Sequence, residues 1–133
     1  MALRRQFELS ESDVEFLDTY GLEWETIIDG SRWVLLHRFP THDEYNHAES
    51  TAAIRLTTGY PTAQLDMVYF HPPLARKDGK VIARTETPQP IDGKSFQQWS
   101  RHRTAQNPWK PGFDSLETHV HLIEDWLQRE FEK

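Results

Sequence analysis

TGYPTAQLDMVYFHPP, residues 58–73, runs a Gly59-Tyr60-Pro61 turn into an apolar strand, Leu65–Phe70, that stops on His71-Pro72-Pro73. Proline lacks the N–H that a sheet ladder needs, so two in succession end a strand abruptly. Upstream, Thr51–Thr58 alternates: Ala52, Ile54 and Leu56 fall on one face and Ala53, Arg55 and Thr57 on the other, as in a half-buried strand. Further back, Trp24–Ile28 and Arg32–Phe39 are β-rich runs joined by Asp29-Gly30-Ser31, a strong hairpin signal. A polar loop, residues 40–49, links the second run to the third.

Outside these strands the period changes. Ser12 with Glu15 fits a capping box, Val14, Leu17 and Tyr20 form a short apolar stripe, and Gly21 supplies a stop. Residues 72–98 hold prolines, glycines and scattered polar residues, which predicts a long irregular flap. The last helix is the clearest: Asp114 and Glu117 fit a capping box, and Leu116, Val120, Ile123, Leu127 and Phe131 follow at helical spacing. The expected fold is α+β, a four-stranded antiparallel meander with an N-terminal and a C-terminal helix.

Composition narrows the function. At 133 residues, residues 1–133 read as a single domain, and 37% hydrophobic with 27% charged residues is the balance of a folded chain. A net charge of −6 argues against general nucleic-acid binding, which needs a basic face. The start, Met1 to Phe7, is polar and basic without an apolar core, and no run approaches the roughly 18 apolar residues of a membrane span. These features predict a soluble, cytoplasmic protein with no membrane partner. The absence of cysteine excludes disulfides, thiolate zinc sites and a thiol nucleophile.

The histidines offer no recognised metal pattern. His119 and His121, two apart on a helix, point to different faces, and His42 and His47 lie in a polar loop without ligand spacing. Neither a metal nor a cofactor is expected. A Gly-x-Ser-x-Gly elbow is also absent. Trp99, Trp109 and Trp126 are most economically packing residues, and His71 closes the fourth strand onto the flap. Arg101-His102-Arg103 with Lys110 forms a basic cluster within an acidic chain, suited to a solvated loop or to an acidic protein partner.

In order of elements the chain resembles the ubiquitin-conjugating enzyme (UBC) superfamily. Tyr60-Pro61 matches the turn before the last strand, His71-Pro72 the start of a His-Pro-Asn motif, and Trp99-Ser100 the start of a Trp-Ser-Pro. The segments DGKSFQQWSRHR and WKPGFDSLETHVHLIEDWL resemble more specifically a bacterial UBC-like family encoded beside ubiquitin-like proteins and their activating enzymes. The resemblance implies a UBC-like fold. It also implies a ubiquitin-like protein and a ubiquitin-activating-like enzyme as partners, and a place in a bacterial conjugation pathway with a role in antiviral defence.

Two departures bear on chemistry. Pro73 replaces the motif's asparagine, and no cysteine follows: counting forward from His71 lands on Ile82, counting back from Trp99 lands near Ile91. The resemblance then leaves a carrier that uses a hydroxyl to form an oxyester, a catalytically inactive adaptor of the same fold, or a sequence in which the cysteine has been replaced. An unrelated acidic interaction domain is the reading from another class. For an oxyester the candidates are Ser100 and Ser95, then Thr85 and Thr87. His102 is the candidate base, because a serine hydroxyl needs one within hydrogen-bond reach. Arg101 and Arg103 are candidates to hold an oxyanion or an acidic partner. At a Trp-Ser turn the serine has a structural alternative, helping to start a helical turn.

Overall fold

The computed structural model describes residues 2–132; the ends of the expected domain, Met1 and Lys133, lie outside them. Helix α1 (Glu11–Tyr20) is followed by β1 (Trp24–Ile28), β2 (Arg32–Pro40), β3 (Glu49–Leu56), β4 (Val68–His71), β5 (Pro88–Ile91) and β6 (Lys94–Trp99), then helix α2 (Leu116–Arg129) and a 3-10 turn (Glu130–Glu132). All pairings are antiparallel, in one sheet of order β1-β2-β3-β4-β6-β5. The fold is α+β as expected, but the sheet has six strands rather than four.

The two further strands lie inside the expected flap, of which only residues 72–87 are irregular. Asp92 (φ 55°) and Gly93 (φ 74°) both adopt positive φ, which gives the tight two-residue turn that joins β5 to β6. Pro88 and Pro90 are tolerated because β5 is the edge of the sheet and pairs on one side only.

Helix starts also differ from the sequence reading. Ser10, not Ser12, caps α1, its hydroxyl accepting from the Asp13 N–H, while Gly21 (φ 93°) ends the helix as expected. Ser115, not Asp114, caps α2, and Thr118 completes the capping box in place of Glu117. Asp114 is instead buried in an ion pair with Arg103, 3.4 Å away.

The sheet is apolar on both faces. Val34, Leu36, Ala52, Ile54, Val68, Phe70 and Trp99 pack with Leu17 of α1 and with Leu116, Val120, Ile123 and Leu127 of α2. The four α2 residues thus face the sheet, as their spacing predicts. On the other face Ile27, Trp33, Leu35, Ala53 and Tyr69 are covered by Ile91 and Phe96, with no helix involved. Curling of the sheet closes this second core. The Asp92 N–H donates to Asp29 Oδ2 at 2.8 Å, and Arg4 bridges Glu25 of β1 and Asp92 at 2.9 and 2.7 Å.

The irregular segment is held by named bonds. The Gln97 side chain accepts from the Leu74 N–H (2.9 Å) and donates to the Leu74 carbonyl (3.0 Å). Asn46 binds Ala75 through both backbone and side chain. Buried Arg76 meets Asp78 at 2.7 Å and the Glu130 carbonyl at 2.7 Å. No helix among the described residues is long and apolar enough to cross a membrane.

Candidate functional site

Where β6 ends, the chain continues without regular secondary structure through Ser100, Arg101 and His102. Ser100 Oγ lies 3.2 Å from His102 Nε2, and His102 Nδ1 lies 2.7 Å from Asp66 Oδ2. An ionised Asp66 can only accept from Nδ1–H, and in a neutral ring that tautomer puts the Nε2 lone pair toward the serine hydroxyl. This is the order of groups that activates a serine: nucleophile, base, and a carboxylate that fixes the tautomer of the base.

The frame behind the three groups is rigid. The Met67 N–H donates to the Arg101 carbonyl at 3.0 Å, tying the residues that lead into β4, Asp66 among them, to the segment that carries His102. The Met67 carbonyl accepts from His119 Nε2 at 2.9 Å. His119 is fully buried, and burial pushes its pKa down to about 4, so the ring is neutral and structural. The front is open: the His102 side chain is 54% exposed and that of Asp66 29%. The second Asp66 oxygen, Oδ1, is buried and makes no hydrogen bond.

Of the residues named from sequence, Ser100 and His102 come together and Ser95 stands apart. Ser95 and Ser100 are five residues apart along β6 and its extension, roughly 17 Å in extended chain. Ser95 is exposed and lines a cavity of about 170 Å³ with Thr85, Thr87 and Phe96. Its carbonyl accepts from His71 Nδ1 at 3.1 Å, so His71 does fasten β4 to the β5–β6 hairpin. The Thr85 hydroxyl donates to the Ile82 carbonyl. Asp66 is the member that sequence reading missed.

The two arginines make internal contacts. Arg101 donates to the Ala83 carbonyl at 2.9 Å, pairs with Glu130 at 3.4 Å and lies over the Trp99 ring. Arg103, 5% exposed, pairs with Asp114 and lies over Trp109. Both hold the segment in place through these contacts. Ile82 and Ile91, where the family's cysteine would fall by either count, are buried. Among the described residues no three of His, Asp and Glu converge on a point where a metal ion would sit.

A family model described as Prokaryotic E2 family E matches residues 9–130. Neither the curated proteins nor the solved structures gave a match.

Proposed function

The chain belongs to the prokaryotic E2 family E, and we propose that it is a cysteine-free carrier which takes a ubiquitin-like protein onto Ser100 as an oxyester. The observation that carries this reading is the Ser100–His102–Asp66 chain, at 3.2 and 2.7 Å. Its position supports the same reading. The Ser100 N–H donates to the Arg84 carbonyl at 3.1 Å, which sets the serine beside the segment two residues past Ile82. The serine backbone thus runs beside the segment in which the forward count from His71 looks for a thiol.

In this scheme the ubiquitin-like protein arrives as a thioester on an activating enzyme in a cytoplasmic bacterial conjugation pathway. Ser100 Oγ attacks the thioester carbonyl as its proton passes to His102 Nε2. The C–S bond breaks, and the departing sulfur takes that proton. Transfer to an amine or hydroxyl acceptor runs the same steps with the serine as leaving group. Asn46 and Gln97, bonded to Ala75 and Leu74, do the flap-fastening that Pro73 cannot.

The test mixes the protein with the neighbouring activating enzyme, the ubiquitin-like protein and ATP. A covalent adduct that resists thiol reductants but falls to hydroxylamine or strong base is expected. Non-covalent binding with no adduct would instead assign the chain as an adaptor of the same fold, the reading that the buried Ile82 and Ile91 favour. No binding of either kind would leave an unrelated acidic interaction domain.

A further inference from the structure

We propose that the same three residues form a self-sufficient esterase: Ser100 takes short acyl groups directly from activated esters or thioesters, and His102 then releases them to water. The inference rests on the assignment of Ser100 as nucleophile, and it adds an activity that requires neither an activating enzyme nor a ubiquitin-like protein.

The geometry contains what each half-reaction needs. In the first, Ser100 Oγ attacks the ester carbonyl and its proton moves to His102 Nε2, 3.2 Å away. The carbon–oxygen bond to the leaving alcohol breaks, and His102 returns the proton to that alcohol. In the second, water attacks the serine ester and gives its proton to the same nitrogen. Ser100 Oγ leaves and recovers a proton, and the free acid departs. Asp66, 2.7 Å from Nδ1, stabilises the imidazolium formed in both halves. The Arg101 N–H, next after the serine, donates to no group among the described residues, which leaves one backbone donor adjacent in sequence to the nucleophile.

Openness sets both the second half and the substrate class. A lasting acyl carrier must keep water from its ester, yet the base here is 54% exposed. Water reaches Nε2 as readily as an acceptor amine does, so an acyl-serine discharges by itself when no acceptor is bound. So exposed a base offers little wall to grip a long chain. Short acyl groups on good leaving groups are therefore the expected substrates.

The experiment uses the purified full chain alone with 4-nitrophenyl acetate and, separately, a fluorophosphonate that phosphonylates activated serines with loss of fluoride. Turnover above the level of Ser100→Ala is expected, with one equivalent of label located at Ser100 by mass spectrometry. His102→Ala should lower both rates by about 100- to 10,000-fold. Asp66→Asn should lower them by up to about 10,000-fold, through the wrong tautomer, and alter the pH profile. The chain has seven histidines that can promote ester hydrolysis unspecifically, so the Ser100→Ala comparison decides. Matching thermal melts confirm that the variants are folded. Hydrolysis equal in the unmutated protein and Ser100→Ala, or label elsewhere than Ser100, overturns the proposal. A ubiquitin-like adduct without ester turnover would remove the esterase and keep the carrier. Ester turnover without an adduct would do the reverse.

Discussion

Tyr60 and Asp13 are joined by a 2.8 Å hydrogen bond in which the phenol donates to a carboxylate that is 4% exposed. The same phenol oxygen accepts the Leu116 N–H at 2.8 Å. The turn before β4 therefore fastens the first turn of α1 to the first turn of α2. Tyr60→Phe strands a buried carboxylate and an N–H, and should cost about 1–3 kcal/mol in denaturant unfolding. Burial raises the Asp13 pKa above its ordinary 3.8, against the pull of Tyr60 and Ser10. A raised carboxylate stabilises the fold below its unfolded pKa, and that contribution fades as pH rises through the folded value. The penalty in Tyr60→Phe should accordingly be larger at pH 7 than below pH 4.

Glu25 titrates with the opposite sign. The Arg4 guanidinium beside it, helped by the Arg4 N–H and His37, holds its pKa at about 2, against 4.5 in an unfolded chain. The contribution is present above pH 4.5 and is lost as pH falls through about 2. Asp92, also bonded to Arg4, and Asp78, bonded to Arg76, are lowered as well and add to this acid limb. Glu25→Gln should flatten the fall in melting temperature between pH 5 and pH 2; an unchanged slope would place the acid sensitivity elsewhere.

Gln97 decides the order of the irregular segment. Its amide meets the Leu74 N–H and carbonyl and also accepts from Trp99 Nε1 at 2.8 Å. Gln97→Ala should raise hydrogen exchange at residues 73–76 while β2 and β3 keep their protection. Equal exchange across both regions would show that Asn46 and Arg76 suffice.

The two candidate serines separate cleanly. Ser100→Ala should abolish the adduct with a ubiquitin-like protein. Ser95→Ala should leave it intact, because Ser95 lies far from His102 along β6. Loss of adduct in Ser95→Ala with a normal melt would move the chemistry to the cavity shared with Thr85 and Thr87.

Arg103 is a stability residue. It is 5% exposed against Asp114 at 6%, so Arg103→Ala leaves a buried carboxylate that keeps only the Lys110 N–H among its close partners. A loss of up to about 3–5 kcal/mol is expected in unfolding, from a buried pair with one member removed. A variant of unchanged stability that bound its protein partner more weakly would restore the partner-contact reading.

Legibility in the sequence followed the strength of local signals. Asp29-Gly30 and the alternation of Ala52, Ile54 and Leu56 announced β1 to β3, and the α2 stripe named the four residues that meet the sheet. Asp92-Gly93 is the same kind of turn signal, yet Pro88 and Pro90 masked β5, since an edge strand tolerates what a central strand does not. Ser100 and His102 were legible because the base lies two residues from the hydroxyl in sequence, within reach of it in space. Asp66, 36 residues away, had no local signal. Its place follows only from long-range pairing: Val68 faces Trp99 in the β4–β6 register, and just beyond it the Met67 N–H bonds the Arg101 carbonyl, one residue out of that register, which brings Asp66 level with His102.

The curled sheet has a bearing on how partners attach. Residues 4–6 run beside β1, with the Gln6 N–H donating to the Thr26 carbonyl and the Thr26 N–H to that of Arg4, so this border already has its backbone groups occupied. At the opposite border two of the four β5 residues, Pro88 and Pro90, have no N–H to offer. Both borders are poor templates for an incoming strand. Strand addition is thus disfavoured at β1 and β5, which points a guest toward recognition through side chains and loops.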